Sequence, residues 1–139
     1  MKSRDTVMRL KRFQVDEKRR RVAQIEMMIA DFERMVHELE REIAAEEQKS
    51  GISDKAHFAY PTYARAAFTR KENLQRSADE LKTQLEDARA DLEGAFQELK
   101  KFEILDDREQ ARERAAEAAR EQSDLDRIGL AMRAGFARA

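Results

Sequence analysis

Two histidines are the residues of this chain best suited to hold a metal ion or to transfer a proton. Four residues after His37 the chain has Arg41, where a zinc-protease helix needs a second histidine. His57 falls in a predicted turn with no second histidine at the spacing of a metal site. We interpret His37 as a solvated helix residue and His57 as a residue that is solvated or packed in the turn.

Other groups on which enzymes commonly depend are also missing from the sequence. The chain has no cysteine, which excludes a thiol nucleophile, a thiolate zinc site and a disulfide scaffold. Its glycines follow no predicted strand and form no phosphate-binding loop: Gly51, Gly94, Gly129 and Gly135. Its many carboxylates lie on predicted helices that provide no pocket to shift their pKa values. We therefore expect no enzyme activity, no metal and no cofactor.

Clustered cations give the first part of the chain a candidate binding surface. Residues 1–21 contain nine basic and three acidic residues, whereas residues 26–54 contain three and nine. We expect the basic block to dock on an acidic protein surface, the alternatives being a solvated face or nucleic acid. The apolar heptad positions run through the block and Asp16 and Glu17 interrupt it, so it differs from the groove-reading helix of a bZIP protein.

Aromatic residues concentrate in a segment of turn-forming residues. Phe58, Tyr60, Tyr63 and Phe68 fall within eleven residues, and the surrounding residues 55–71 carry four cations and no acid. Tyrosine is enriched at binding hot spots because it offers apolar area and a hydroxyl group at low entropic cost. Two interpretations stay open: the aromatic residues close the end of a hairpin, or Tyr60 and Tyr63 form an exposed anchor for an acidic partner.

The elements that must position these residues are predicted to be helices. Of the 139 residues 41% are charged and 41% hydrophobic, with only four glycines and one proline. This mixture is typical of long helices and coiled coils. No apolar run approaches the roughly 20 residues of a membrane span, and the first residues do not form a signal peptide. We expect a cytoplasmic protein without direct membrane insertion.

A sustained seven-residue repeat predicts the first helix over about residues 5–48, beginning near Asp5. Its a positions are all apolar: Met8, Val15, Val22, Ile29, Val36 and Ile43. Its d positions are apolar only in the middle: Lys11, Lys18, Ile25, Phe32, Leu39 and Glu46. A repeat of this length predicts a left-handed coiled coil with a partner helix.

A turn over about residues 49–61 and a second helix over about 62–127, starting near Pro61, supply that partner. The a positions of the second helix are Ala78, Leu85, Leu92 and Leu99, and the d positions are Leu74, Leu81, Ala88, Ala95 and Phe102. The predicted fold is all-α, an elongated two-helix antiparallel coiled-coil hairpin with a longer second helix. We expect residues 1–128 to form one domain, most of residues 106–127 to lack a partner in the chain, and residues 129–139 to form a frayed, flexible tail.

Three segments resemble alphaproteobacterial members of the flagellar export protein FliJ family. They are the opening MKSRDTVMRLKRFQVDEKRRRVAQIE, the turn segment HFAYPTYARAAF and the later stretch LKKFEILDDREQARER. The resemblance covers nearly the whole chain, and the predicted length, two-helix layout and aromatic turn agree with it.

This resemblance implies a coiled-coil stalk in the flagellar type III export apparatus, similar to the two-helix coiled coil of the rotary ATPase γ subunit. It implies binding to the flagellar export ATPase hexamer through the basic residues Arg9, Lys11, Arg12, Arg19, Arg20 and Arg21. It also implies contact between the turn, at Tyr60, Tyr63 and Phe68, and the membrane export gate protein FlhA. Export chaperones are further implied partners, without a motif for them, and the implied location is the cytoplasmic face of the inner membrane at the flagellar base.

A generic coiled-coil homodimer, acting as a scaffold or on nucleic acid, is the alternative prediction. The seam pattern alone is compatible with pairing between two chains. The turn formers between Gly51 and Pro61 favour pairing within one chain, so we expect a monomer when the protein is free and no nucleic acid partner.

Overall fold

The computed structural model describes residues 2–138, and the side chains of residues 3–137. It contains two helices, α1 (Lys2–Ser50) and α2 (Thr62–Arg138), and no strand among those residues. The fold is an all-α helical hairpin with a longer second helix, as predicted from the sequence. The chain divides into two compact units: residues up to Lys11 together with those from Gln97 onward form unit 1, and Arg12–Phe96 form unit 2.

Unit 2 is a hairpin in which apolar residues of both helices meet along the predicted seam. One cluster of buried residues joins Ile25 and Ile29 of α1 to Leu85 and Ala88 of α2. A second cluster, nearer the turn, joins Leu39 and Ile43 of α1 to Ala67 of α2. Alanine lies opposite branched side chains in both clusters, which lets the two helices approach closely.

Ion pairs flank the middle of this seam on the solvent side. Lys71 lies 3.6 Å from Glu40, Lys82 lies 3.3 Å from Glu33, and Arg89 lies 3.8 Å from Glu26. All six side chains keep substantial contact with water, so each pair contributes only about 0–1 kcal/mol to stability. Their order along the two helices shows that α1 and α2 run antiparallel in unit 2.

Helix α1 ends at Ser50, and the following Gly51 adopts a positive φ of 71°. Its N–H donates to the carbonyl oxygen of Glu47 at 2.9 Å, so the glycine satisfies one of the last free carbonyl groups of the helix. The Ser50 hydroxyl donates to the same carbonyl and accepts from the N–H of Ile52. The positive φ favours glycine at this position because a Cβ would strain the backbone.

Residues 51–61 connect the helices through a series of short-range hydrogen bonds. Asp54 accepts the N–H of Ala56 with its carboxylate and the N–H of His57 with its carbonyl. The carbonyl of His57 accepts the N–H of Tyr60 at 3.1 Å. Pro61 directly precedes α2, and its carbonyl accepts the N–H of Arg65, which confirms the predicted start of the second helix.

In unit 1 a charged side chain occupies a position of the seam between the helices. Met8 and Leu99 are buried, but the d position of α1 is occupied by Lys11, whose ammonium lies 3.7 Å from Glu98 and 5.0 Å from the centre of the Phe102 ring. The Arg4 guanidinium lies 3.6 Å from Asp106. The amino-terminal turns of α1 are therefore held partly by electrostatic contacts.

Both outer helix ends differ from the prediction. Helix α1 begins at Lys2, and Asp5 lies in its first turn, where a carboxylate interacts favourably with the helix dipole. Helix α2 continues to Arg138, past the predicted end at residue 127, because Gly129 and Gly135 are isolated among good helix formers and each costs only about 1 kcal/mol. Residues 110–128 are all exposed, although Glu113 among them accepts a hydrogen bond from Arg4 of α1 at 2.9 Å. Ala139, the end of the predicted tail, lies outside the described residues.

Candidate functional site

The basic end of unit 2 carries cations that have no acidic partner in the described part of the chain. Arg12, Arg20 and Arg21 are exposed, and none of them forms an ion pair there. Arg19 is the exception, since its guanidinium lies 4.0 Å from Asp16. This contrasts with the middle of unit 2, where lysine and arginine pair across the two helices.

Arg20 and Arg21 line a shallow polar groove between the two helices of unit 2, with a volume of about 370 Å³. Lys18 also lines it and stands at a d position of the heptad repeat, where an apolar residue would have closed the seam. Ala88 and Asp91 form the opposite wall. The groove lies in the most basic part of α1, where the seam stays closed at Val15, which is buried.

Two of the predicted ATPase-binding residues, Arg9 and Lys11, belong to unit 1. They differ in exposure and in the contacts that their side chains already make. Arg9 is exposed and has no ion-pair partner among the described side chains. Lys11 is half-buried and occupied by Glu98 and Phe102, so its ammonium contributes to packing within unit 1. The ATPase contact predicted for Lys11 stays a prediction, and it would have to compete with these contacts.

Unit 1 also has an apolar groove of about 540 Å³ beside these residues. Its apolar lining consists of Val7 and Met8 of α1 and Phe102 and Leu105 of α2, and charged side chains surround it. Such a groove suits the apolar side chains of a protein partner. The charged phosphate groups of nucleic acid would not bind in an apolar groove.

Tyr60 and Tyr63 fasten the start of α2 to α1. The Tyr60 hydroxyl donates to Glu47 at 2.7 Å, and the Tyr63 hydroxyl donates to Glu42 at 2.8 Å. Tyr60 is only 4% exposed, whereas Tyr63 is 55% exposed. The interpretation of both tyrosines as an exposed anchor is therefore wrong for Tyr60, which closes the end of the hairpin.

Both hydrogen bonds raise the pKa of the tyrosine that donates. For Tyr60 the hydrogen bond to Glu47 has the largest effect, followed by burial. For Tyr63 the hydrogen bond to Glu42 comes first, followed by the negative charge of that carboxylate. A carboxylate acceptor stabilises the neutral phenol and opposes the phenolate, which is why the pKa rises above 10.0.

Phe68 contributes to both the core and the surface at the turn end. It is half-buried and packs against the cluster of Leu39, Ile43 and Ala67. The ammonium of Lys55 lies 3.1 Å from the centre of its ring. Phe68 is thus a partly covered contact point whose ring orders a neighbouring cation.

Phe58 is the most prominent exposed aromatic side chain of the turn, and sequence reasoning did not select it. Its side chain is 94% exposed. The ring stacks only on His57, with ring centres 4.8 Å apart and an angle of 21° between the planes. Its position at the centre of the segment between the two helices was the available signal.

The histidines have the ordinary roles predicted for them. His37 is exposed and lies 3.6 Å from Glu40. The Nδ1 atom of His57 accepts the N–H of Ala59 at 3.0 Å, so it supports the turn. Within residues 3–137 no group of three histidine or carboxylate side chains is placed to hold a metal ion. No helix among the described residues is both long and apolar enough to cross a bilayer.

Comparison with known proteins adds one positive finding. The family model described as "Flagellar FliJ protein" matches residues 1–138, which is almost the whole chain. No curated protein and no solved structure matches the chain. The family match therefore covers both units and the turn between the helices.

Proposed function

Since the chain belongs to the FliJ family and is a component of flagellar protein export, we propose that it is a coiled-coil stalk that couples the export ATPase to the membrane export gate. The basic residues of α1 bind the ATPase hexamer, and the turn end contacts the gate protein FlhA. The chain itself catalyses no reaction and acts by contact. It works at the cytoplasmic face of the inner membrane, at the flagellar base, and also engages export chaperones.

The ATPase assignment rests mainly on the exposed positive charge of the arginines at the basic end of unit 2. Arg12, Arg20 and Arg21 have no acidic partner among the described side chains, although the chain has more acidic than basic residues in total. Keeping like charges together in this way opposes folding unless a partner uses them. An acidic surface on another protein would supply the missing carboxylates, and complementary charge would speed the encounter.

The apolar groove of unit 1 favours a protein partner over nucleic acid. Val7 and Leu105 line it and are also exposed, so a partner could bury apolar area there in addition to pairing with Arg9. Nucleic acid would engage the cations alone. The rival function as a nucleic-acid-associated protein therefore explains less of this surface.

Unit 2 has the dimensions of a spacer between two contacts. The part of α1 within it rises about 1.5 Å per residue and spans roughly 60 Å between the basic end and the turn. The two core clusters lie between these ends and hold the helices together. A contact made at one end can thus be linked mechanically to the other.

Charge reversal tests the ATPase contact. The triple variant Arg19→Glu, Arg20→Glu and Arg21→Glu should lose binding to the export ATPase of the same organism in a pull-down and should keep its helical circular dichroism. A control variant reverses three exposed arginines nearer the turn, Arg41, Arg70 and Arg76, and should bind normally. Equal binding by both variants would rule out the assignment of the basic end.

The gate contact is tested separately at the turn end. Tyr63→Ala removes an exposed ring and should reduce motility without changing ATPase binding, while full motility would rule out a gate role for Tyr63. Tyr60→Ala serves as a structural comparison, since Tyr60 is buried and its loss should lower stability as well.

A further inference from the structure

The turn between the helices combines one nearly free aromatic side chain with an excess of positive charge. Phe58 is 94% exposed and is the residue of the segment between the helices that offers the most apolar area to a partner. Residues 48–71 contain five cations and one acid, Asp54. We propose that this tip binds the surface of a bilayer that contains anionic phospholipids, with the Phe58 ring inserted at the interface and the cations at the head groups.

The cations around the tip differ in how far their charge is already used. Lys49 lies 3.8 Å from Glu46, and Lys71 pairs with Glu40. Lys55 and Arg65 contact only aromatic rings among the described groups, those of Phe68 and Tyr60. These cation–π contacts hold a cation in place without neutralising it. Lys55 and Arg65 therefore stay available for phosphate groups.

The acids near the tip form no ion pair with Lys55 or Arg65 among the described side chains. The Asp54 carboxylate accepts the N–H of Ala56 within the turn. Glu47 and Glu42 lie on α1 and accept the hydroxyls of Tyr60 and Tyr63. These carboxylates keep their negative charge, but their oxygens are engaged by neutral donors of the hairpin and not by Lys55 or Arg65.

A lipid surface fits this arrangement better than a protein pocket does. Protein interfaces bury an apolar core several residues wide and surround it with polar groups. Here the flanking Ala56 and Ala59 are exposed and small, so Phe58 provides the large exposed apolar side chain of residues 51–61. A fluid interface accepts a single aromatic ring at the depth of the head groups and attracts each nearby cation.

This inference goes beyond the proposed function and does not rest on the ATPase or gate contacts, because it concerns protein-free bilayers. It describes contact with one face of the membrane, and no described helix is able to cross it. The basic block on α1 could also attract anionic vesicles, so the experiment must report which end of the hairpin touches lipid.

The chain has no tryptophan, which makes Phe58→Trp a unique fluorescent probe of the tip. With vesicles of phosphatidylglycerol and phosphatidylcholine, we expect its emission to shift to the blue and to be quenched by brominated acyl chains. Vesicles of phosphatidylcholine alone should give no shift. Phe136→Trp, at another highly exposed phenylalanine on α2, is the matched control and should show neither effect.

Sedimentation with the same vesicles measures affinity. Phe58→Ala should weaken binding about tenfold through lost apolar burial, and Lys55→Glu about fivefold or more through lost charge. Both positions are exposed, so helicity should not change, and Phe136→Ala should bind like the unmodified chain.

Three results would overturn the proposal. The first is no sedimentation with anionic vesicles. The second is an unshifted Phe58→Trp emission together with binding that is lost on reversing Arg20 and Arg21, which would assign lipid contact to the basic block. The third is a Phe58→Ala variant that binds vesicles normally but no longer binds the export gate. That result would show that a protein pocket receives the ring.

Discussion

The packing of unit 2 can be tested at Ile25, which is only 1% exposed. Its side chain packs with Ile29 on the same helix and with Leu85 and Ala88 on α2. Replacing a buried isoleucine with alanine costs about 2–5 kcal/mol, because apolar contacts are lost and a cavity remains. Unit 2 has only two helices, so the neighbouring side chains can move into part of the space. We therefore expect Ile25→Ala to lower the free energy of unfolding by about 2–3 kcal/mol.

Urea unfolding followed by helical circular dichroism measures this loss. Met27→Ala is the matched control, since Met27 lies two residues away on the same helix and is 67% exposed. The control should change the free energy of unfolding by less than about 0.5 kcal/mol. Equal losses in the two variants would mean that Ile25 does not face a partner helix as described.

The same unfolding experiment distinguishes pairing within one chain from pairing between two. In the structure α2 of the same chain covers Ile25, so the urea midpoint should be independent of protein concentration. A midpoint that rises with concentration over a hundredfold range would instead support the homodimer.

Three further predictions concern other parts of the chain. Gly51→Ala should destabilise the protein by about 1–2 kcal/mol because of its positive φ, whereas Gly94→Ala should stabilise it by up to about 1 kcal/mol, both measured by urea unfolding. The raised pKa of Tyr60 stabilises the folded protein below pH 10.0, and this stability is lost as the pH rises through the pKa of Tyr60 in the folded state. Glu47→Ala should lower the pKa of Tyr60, as measured by a titration of tyrosinate absorbance. Arg4→Ala should lower the free energy of unfolding by about 1 kcal/mol and should speed hydrogen exchange in the first turns of α1, since the Arg4 side chain is half-buried between Asp106 and Glu113. Unchanged exchange there would show that these ion pairs do not hold the helix end.

The heptad pattern predicted most of the fold because burial and sequence periodicity have the same physical origin. Five of the six predicted a positions of α1 are buried and Val22 is partly buried; the five are Met8, Val15, Ile29, Val36 and Ile43. The turn was predictable from residues with special backbone preferences, such as Gly51, which adopts a positive φ directly after α1.

The helix ends were less predictable, since local signals there are weak. Asp5 suits a first helical turn as well as a cap, so the start was placed three residues too late. Isolated Gly129 and Gly135 indicated an end that the helix formers around them do not produce. Each of these preferences amounts to about 1 kcal/mol or less, which neighbouring residues can offset.

The candidate site depended on which side chains contact one another, and that was beyond the sequence pattern. Tyr60 and Tyr63 are the same residue type three positions apart, yet one is buried and one is exposed, because α1 covers only one of them. Lys11 is engaged by Glu98 on a helix almost ninety residues later in the chain. The exposure of Phe58 likewise follows from the path of the turn.

The central claim, that this FliJ family member couples to the export ATPase through its basic end, is tested most directly by ATP hydrolysis. The ATPase of the same organism would be assayed with the unmodified chain and with the variant reversed at Arg19, Arg20 and Arg21, at low and high salt. We predict stimulated hydrolysis by the unmodified chain, weaker at high salt, and none by the variant. Absence of stimulation by the unmodified chain, together with salt-sensitive retention on DNA, would contradict the account and favour a nucleic-acid-associated coiled coil.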